Sequence, residues 1–260
     1  MSTAPQRIVV ITGGGVELGR AMAQAFSEQR AHLVLLDLGP NLQKARRLAR
    51  KLPGDSIAFR CDVSSEPEVR KAFEFIRHRW GRLDVLINNA GVQGPTREAT
   101  RISLADWERT LAVNLTGAFL CAREAIPLMR RAGGTIIQIG SVAGRVAYGL
   151  RLPYAVSKAA LEALTRGLAA ELGRDNIRVN LVAPGPIAVE SMERVIRSRA
   201  RALKQSSQMM RDSYLRASIL GTMISAADVM HAVAFFCGPA ATHITGQVLE
   251  VSGGWIATVL

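Results

Sequence analysis

The sequence lacks several features that would place the protein in a membrane, in an oxidising compartment or around a metal ion. No apolar run approaches the ~20 residues of a membrane-spanning helix, and residues 1–7 have no signal-peptide apolar region. The three cysteines, Cys61, Cys121 and Cys237, lie far apart and outside any CxxC motif, and the four histidines have no metal-ligand spacing. We therefore expect a cytoplasmic protein with reduced, buried thiols, no zinc site and no membrane partner.

Acidic residues are also scarce, since 33 basic residues face 21 acidic ones and the formal net charge is +12. A nucleic acid is the obvious partner for such a charge. However, the basic residues are spread along predicted helices rather than gathered in a stripe with interleaved aromatic residues. This distribution predicts an arginine-rich solvated surface and no nucleic-acid partner.

What the sequence does contain is an alternation of short apolar runs with stretches of helical periodicity. Its hydrophobic content of 48% is enough for the core of one domain, and nothing in it resembles a linker or a repeat. The alternation predicts an α/β fold over residues 1–260, a single Rossmann-type, doubly wound parallel sheet of about seven strands with helices on both faces. The predicted strands are 7–12, 32–36, 56–61, 83–88, 134–140, 176–183 and 247–251, and the predicted helices are 18–30, 41–52, 66–79, 104–130, 153–172 and 226–237.

The first predicted strand stops at Gly13-Gly14-Gly15 and a helix follows it. This order suits a phosphate-binding loop, because the start of a helix presents free N–H groups and the positive end of its dipole. Asp37 ends the second strand about 20 positions further on, where a carboxylate can bind the ribose hydroxyls of an adenine dinucleotide. It would repel a 2′-phosphate and so favours NAD over NADP, although a plain turn acid before Gly39 is the alternative.

Tyr154 and Lys158 are four residues apart and share one face of a predicted helix. A lysine charge beside a phenol favours the phenolate and lowers its pKa, so the pair can exchange a proton with an alcohol or a carbonyl. Something else must then carry the hydride. The alternative is a half-exposed tyrosine packed on a lysine stem.

Taken together, the motifs resemble those of the short-chain dehydrogenase/reductase family over nearly the whole chain. Ser141 precedes Tyr154 by thirteen residues, which is the usual gap in that family. The other matching features are Thr12-Gly13, Asp37, Asp62-Val63, Asn88-Asn89-Ala90-Gly91, Asn114, Lys158 and Pro184-Gly185.

The resemblance implies hydride transfer between NAD(H) and a secondary alcohol or ketone. It gives Tyr154 the role of general acid/base and Lys158 that of lowering the tyrosine pKa and holding the nicotinamide ribose. Ser141 would stabilise charge on the substrate oxygen, and Asn114, in a kinked helix, would support a water-linked proton path to Lys158. The residues that the resemblance assigns to cofactor binding are Gly13, Gly15, Leu18, Asp37, Asp62, Val63, Asn89, Gly91, Tyr154, Lys158 and Ile187.

Two positions depart from the family pattern. Glu17 stands where a glycine normally lets the backbone approach the pyrophosphate, and Val189 stands where a threonine often binds the nicotinamide amide. Glu17 could point to solvent and pair with Arg20, or it could weaken or divert dinucleotide binding. The rival to a working dehydrogenase is therefore a protein of the same fold that acts as a non-redox catalyst or as a regulatory or structural subunit.

Residues 189–225 form a long insert without a predicted strand, which in this family folds over the substrate as a lid. The insert is rich in arginine, which suits an anionic small-molecule substrate. The alternative is that the insert is a solvated amphipathic helix. Arg145, Tyr148 and Arg151 should face the same cavity, and one of them should touch the substrate. Apolar surface on Leu104–Arg130, on the Tyr154 helix and on Trp255–Leu260 predicts a partner interface. The family resemblance implies that the partner is another copy of the chain, in a tetramer or a dimer.

Overall fold

The computed structural model describes residues 6–255. Its centre is a sheet of seven strands in the order β3-β2-β1-β4-β5-β6-β7, and every neighbouring pair is parallel. The strands are β1 (Ile8–Thr12), β2 (His32–Asp37), β3 (Ser56–Arg60), β4 (Val85–Asn88), β5 (Gly134–Ile139), β6 (Ile177–Pro184) and β7 (Val248–Val251). The expected fold class is confirmed.

Nine α-helices lie within the described part of the chain, together with short 3₁₀ segments. They are α1 (Glu17–Glu28), α2 (Gly39–Ala49), α3 (Glu66–Trp80), α4 (Leu104–Leu111), α5 (Gly117–Met129), α6 (Leu152–Leu172), α7 (Glu190–Ala202), α8 (Ser207–Arg216) and α9 (Ala226–Cys237). Helices α7 and α8 occupy the predicted lid.

The sheet is buried on both faces, because successive side chains of each strand point to opposite sides. In β1, Ile8 and Val10 belong to the core cluster that includes residues of α3 and α5, whereas Val9 and Ile11 belong to the cluster that includes residues of α1 and α9. This is why the strands are continuous apolar runs rather than alternating ones.

The strand order reverses between β1 and β4, since β1 is hydrogen-bonded to β2 on one side and to β4 on the other. At such a reversal the loops after the two strands diverge and leave a crevice at the carboxyl ends of the strands. The loop that follows β1 and the residues that follow β4 therefore border the same space.

Helices α4 and α5 are joined by a π-helical turn, Ala112–Thr116, so that the whole stretch Leu104–Met129 reads as one long kinked helix. By length and composition alone this stretch could cross a membrane, but half of its most apolar window is buried inside the domain. Such burial is what the core helix of a globular α/β domain requires.

The start of α3 has no side-chain cap. Ser65 occupies the N-cap position, but its side chain makes no capping hydrogen bond. The Glu68 carboxylate, in the first turn, accepts a hydrogen bond from the Asp62 N–H at 2.9 Å and pairs with Arg60 at 2.7 Å. These contacts tie the first turn of α3 to the end of β3.

Candidate active site

A cavity of about 460 Å³ lies at the carboxyl ends of the strands. It is lined by the loop after β1, by residues that follow β4, β5 and β6, and by the first turns of α6 and α7. Of the predicted site residues, those that line it are Leu18, Asn89, Gly91, Ser141, Tyr154, Lys158 and Ile187. One cavity therefore brings together residues that are far apart in the sequence.

The remaining predicted residues lie behind or beside this lining. The Asp62 carboxylate accepts hydrogen bonds from the Ser64 N–H at 3.0 Å and from the Ser64 hydroxyl at 2.6 Å. It also lies 3.7 Å from Arg109, while Val63 fills the space that Gly117 leaves in α5. Both residues shape the turn after β3 at the edge of the crevice.

Tyr154 and Lys158 are positioned by α6, and Ser141 is positioned by the end of β5. Pro153 lies in the first turn of α6, so Tyr154 stands at the open end of that helix, and Lys158 follows one turn later. The Lys158 Nζ donates a buried hydrogen bond to the Ile139 carbonyl at 2.7 Å. Ser141 comes directly after β5, and its Oγ accepts a hydrogen bond from the Ala143 N–H at 3.1 Å.

The electrostatics of this triad are set mainly by its burial. Desolvation raises the pKa of the Tyr154 phenol above its ordinary value, while the Ser141 hydroxyl and the positive charge of Arg151 act in the opposite direction. Desolvation also lowers the pKa of the Lys158 ammonium to about 8. The sequence predicted that Lys158 lowers the pKa of the phenol; instead the net shift is upward, and the cation that opposes it is Arg151.

Asn114 lies in the π-helical turn between α4 and α5, as the expected kink requires. Its Oδ1 accepts a hydrogen bond from the Val92 N–H at 2.7 Å, and its Nδ2 donates to the Val92 carbonyl and to the Ser157 Oγ, each at 3.0 Å. The expanded turn turns the amide towards the strand end. Ser157, which precedes Lys158, was not anticipated, and its only signal in the sequence is that position.

Gly91 separates Asn114 from Lys158. A Cβ atom on Gly91 would lie 3.3 Å from the Asn114 Oδ1 and 3.7 Å from the Lys158 Nζ. The absence of a side chain therefore leaves room between the two polar groups, at the point where a proton path to Lys158 is expected.

The glycine loop packs too closely for side chains. A Cβ atom on Gly15 would lie 2.0 Å from the Asn41 carbonyl oxygen, and one on Gly19 would lie 2.1 Å from the Gly13 carbonyl oxygen. Gly13 itself adopts a φ of +65°, which glycine tolerates best. This is the close approach of loop and helix that a phosphate-binding turn needs.

Asp37 fixes the glycine loop from the end of β2. Its Oδ2 accepts a hydrogen bond from the Gly15 N–H, and its Oδ1 accepts one from the Leu38 N–H, both at 2.8 Å. Desolvation raises the pKa of its carboxyl group, and these two N–H groups oppose that shift. The carboxylate stands beside the loop, next to the start of α2.

Glu17 neither points freely into solvent nor pairs with Arg20. Its Oε1 accepts a hydrogen bond at 3.2 Å from the N–H of Glu190, the first residue of α7. The N-cap residue of α7 is Val189, whose side chain cannot cap a helix. The two departures from the family pattern therefore meet: a carboxylate from the glycine loop satisfies an N–H at the start of the lid helix.

Aromatic side chains form the wall of the cavity that faces Ser141. The hydroxyls of Tyr148 and Tyr214 are 2.6 Å apart, and both rings contact Trp255, with centroids 5.9 and 6.0 Å from its own. Arg199, only 1% exposed, lies behind this wall with its Cζ 4.7 Å from the Tyr148 ring centroid. Tyr148 thus lines the cavity as expected.

The two arginines expected beside Tyr148 take other places. Arg145 turns away and pairs with Glu162 at 3.1 Å and with Glu250 at 2.8 Å. Arg151 is buried, 1% exposed, and its Cζ lies 5.2 Å from the centroid of the Tyr154 ring. Neither of them lines the cavity.

The chain is similar to known proteins in both sequence and structure. A family model described as enoyl-(acyl carrier protein) reductase matches residues 15–256. The chain belongs to the short-chain dehydrogenase/reductase family. The relatives are named dehydrogenases and reductases, and the chain is accordingly an oxidoreductase of that family.

Individual relatives cover almost the whole chain. L-fucose dehydrogenase from Bos taurus is 33% identical over 95% of this chain and 88% of its own length. The 7alpha-hydroxysteroid dehydrogenase of Escherichia coli strain K12 is 33% identical over 96% of this chain and 94% of its own. The structure of NAD⁺-bound xylitol dehydrogenase superposes with a TM-score of 0.92, at 28% identity, over 95% of this chain and 98% of that one.

Proposed function

We propose that this oxidoreductase interconverts a secondary alcohol and a ketone with NAD(H), using Tyr154 as the general acid/base. The observation that carries the proposal is the convergence of Ser141, Tyr154 and Lys158 on one cavity that the glycine loop also borders. A hydroxyl, a phenol and an ammonium there can bind, protonate and deprotonate a single substrate oxygen.

The residues of the loop fit a dinucleotide. Gly19 leaves no space for a side chain where α1 meets the loop, while Gly13 packs against the residues after β4 and Gly15 against the start of α2. The loop therefore stays close to α1, whose first N–H groups can bind a pyrophosphate. Leu18, Asn89, Gly91 and Ile187 continue the lining towards Lys158. Asp37, at the end of β2, supports NAD over NADP because its negative charge would repel a 2′-phosphate, and the related xylitol dehydrogenase binds NAD⁺.

A bound nicotinamide dinucleotide would supply the acceptor for the hydride of the alcohol carbon. The Tyr154 phenolate takes the hydroxyl proton of the alcohol, and in the reverse direction the phenol returns it to the ketone oxygen. The Ser141 hydroxyl donates a hydrogen bond to that oxygen and stabilises the negative charge that develops on it. Lys158 favours the phenolate. Asn114 holds the loop after β4 through its two hydrogen bonds to Val92, at the point where the proton path to Lys158 would begin.

The cavity favours a substrate with an apolar, ring-shaped body. Tyr148, Tyr214 and Trp255 offer flat faces beside Ser141, and rings stack well on such faces. The arginine of the lid that lines the cavity, Arg194, is paired with Glu190 at 2.9 Å, next to the glycine loop. This lid arginine is thus already paired with a carboxylate, and an anionic group on the substrate is the less favoured version of the proposal.

The decisive experiment separates a dehydrogenase from a protein of this fold without redox chemistry. NADH is titrated into the protein while energy transfer from tryptophan to the nicotinamide is followed, since Trp255 lines the cavity. Cyclic and linear secondary alcohols and their ketones are then screened with NAD and NADP at 340 nm. Binding and turnover with NAD are expected, and no binding at millimolar cofactor would leave the rival, a non-redox catalyst or a regulatory or structural subunit.

We also propose a homo-oligomer, a tetramer or a dimer, in the cytoplasm. Helices α4, α5 and α6 expose the apolar side chains of Leu104, Phe119, Leu152 and Val156, with Leu104 69% exposed. Trp255 contributes nothing to such a surface because it is buried, and the rest of the predicted apolar stretch, residues 256–260, lies outside the described part of the chain. Light scattering tests the assembly, and Leu104→Glu should weaken it.

A further inference from the structure

Arg151 is a buried cation whose role the proposed reaction does not yet explain. It stands at the N-cap position of α6 and is 1% exposed. Its guanidinium donates hydrogen bonds to the carbonyl of Gln93 at 2.7 Å, to the Gln93 Oε1 at 2.5 Å and, more weakly, to the Thr96 Oγ1 at 3.5 Å. All of these acceptors, within the described residues, are neutral oxygens.

A guanidinium held by neutral oxygens alone keeps its full charge inside the protein, and burying an uncompensated charge is costly. The electron-rich group nearest to it on the same helix face is the Tyr154 ring, three residues further on, with the Arg151 Cζ 5.2 Å from the ring centroid. Loss of the proton from that phenol would place a negative charge close to the guanidinium.

We propose that Arg151 is a positioning residue whose fixed charge stabilises the phenolate of Tyr154 and so sets the pH at which this residue accepts a proton. The inference rests on the proposed function only in calling Tyr154 the acid/base. The ionisation of the phenol is a property of the protein whether or not it turns over an alcohol.

The other polar groups that face Tyr154 do not duplicate this effect. Lys158, from the same helix, has its Nζ 5.8 Å from the ring centroid, Ser141 approaches from the end of β5, and Tyr148 faces the phenol from the loop between them. Because the pKa of Lys158 is lowered to about 8, its ammonium becomes neutral as the pH rises above that value. An arginine stays charged throughout, so Arg151 is the cation that persists where the phenol titrates.

A purely structural role for Arg151 makes a different prediction. The side chain ties residues 93–96 to the start of α6, and the Arg97 N–H bonds to the Leu150 carbonyl at 2.9 Å beside it. If Arg151 only held residues 93–96 against the start of α6, its loss would loosen this contact and would not systematically raise the pKa of Tyr154. The ionisation of the phenol therefore distinguishes the two roles.

The composition allows this ionisation to be read directly, because the chain has three tyrosines and all three line the cavity. Tyr148→Phe with Tyr214→Phe leaves Tyr154 as the single phenol. Labelling that protein with 3-fluorotyrosine, whose fluorine makes the phenol more acidic, moves the titration into a range where the fold persists. The ¹⁹F chemical shift is then followed against pH.

Arg151→Met is expected to raise the pKa of the labelled phenol by at least about one unit, a tenfold change in its ionisation constant. Arg151→Gln, which keeps polar contact with Gln93, should do the same and serves if the methionine variant does not fold. Arg199→Met removes the other buried guanidinium, which lies over Tyr148, and should leave the titration unchanged. Gln93→Ala weakens the contact between Arg151 and residues 93–96 without removing charge, and it should also leave the titration of Tyr154 unchanged.

The inference is overturned if the Tyr154 phenol has the same pKa in the neutral variants at Arg151 as in the parent protein. It is also overturned if Gln93→Ala raises this pKa as much as those variants do. Neither result depends on turnover. An inactive parent protein with a normal Arg151 effect would instead contradict the proposed function and leave the inference standing.

Discussion

The two ends of the cavity hold their charges in opposite ways. At the Tyr154 end, Arg151 and Lys158 are buried to 1% and 5% exposure and bound only to neutral oxygens. At the glycine-loop end, the Glu17 carboxylate is partly exposed and accepts a hydrogen bond from the start of α7. The first end surrounds one phenol with buried positive charge, and the second is a contact between the glycine loop and the lid helix.

Because of this difference, the two ends control different properties of the protein. Buried charges act through the protein interior, where screening is weak, so their effects are seen in pKa values and in stability. An exposed carboxylate acts on ligands and on a helix end, so its effect is seen in affinity and in local opening. A substitution that removes one charge or one proton from one end should therefore change the property that this end controls.

The largest effect is expected from Tyr154→Phe, which removes the group proposed to exchange a proton with the substrate. The catalytic rate should fall by about 10²–10⁴-fold, the range typical of general acid/base catalysis. NADH affinity, measured by fluorescence, should change by less than about threefold because the ring remains in place. Tyr214→Phe, on the aromatic wall, is the matched control and should keep most of the rate.

Lys158→Met tests the cost of the buried ammonium. The folded pKa, about 8, lies below the ordinary value of 10.5, so between these values the unfolded chain holds more protons than the folded one. The free energy of unfolding of the parent protein should therefore rise as the pH increases through this window. Between pH 8 and 9.5 we expect a gain of about 2 kcal/mol relative to Lys158→Met, measured by urea unfolding.

Lys44→Met is the control for that measurement, because Lys44 is exposed on α2. It should follow the pH dependence of the parent protein. A parallel pH dependence of Lys158→Met and the parent protein would contradict the buried charge, and with it the contrast between the two ends.

Much of this arrangement could be predicted from the sequence, and the part that could is local. The glycine loop after β1, Asp37 at the end of β2 and the spacing of Tyr154 and Lys158 follow from strand ends and helix periodicity. The core strands are equally legible because both faces of a parallel sheet are buried and the runs are continuously apolar.

What could not be predicted depends on contacts between distant segments or on exceptions to general rules. Glu17 meets Glu190 across 173 positions, and only the packing of α7 over the cavity brings them together. Arginine is almost never fully buried, so its place behind Tyr154 rather than on the cavity surface could not be predicted for Arg151. Arg145 likewise finds Glu250 on the last strand, a partner that depends on the sheet order.

The glycine-loop end should give the smaller effects, and Glu17→Gln is the sharpest probe of it. The amide keeps an oxygen that can accept the Glu190 N–H but removes the negative charge beside a bound pyrophosphate. NADH affinity should therefore increase by about three- to tenfold, by fluorescence titration. Glu17→Gly should increase it at least as much, whereas Glu28→Gln, at the other end of α1, should leave it unchanged.

The same contact should be visible without any cofactor. In the parent protein the Glu190 amide is bonded to Glu17, so hydrogen exchange in the first turn of α7 should be slower than in Glu17→Gly. Val189→Thr gives α7 a capping hydroxyl of its own, worth about 0.5–1 kcal/mol, and should restore part of the lost protection. Equal exchange in the parent protein and Glu17→Gly would mean that the carboxylate does not hold the lid. The tighter NADH binding of Glu17→Gly would then have to come from the removal of charge repulsion alone.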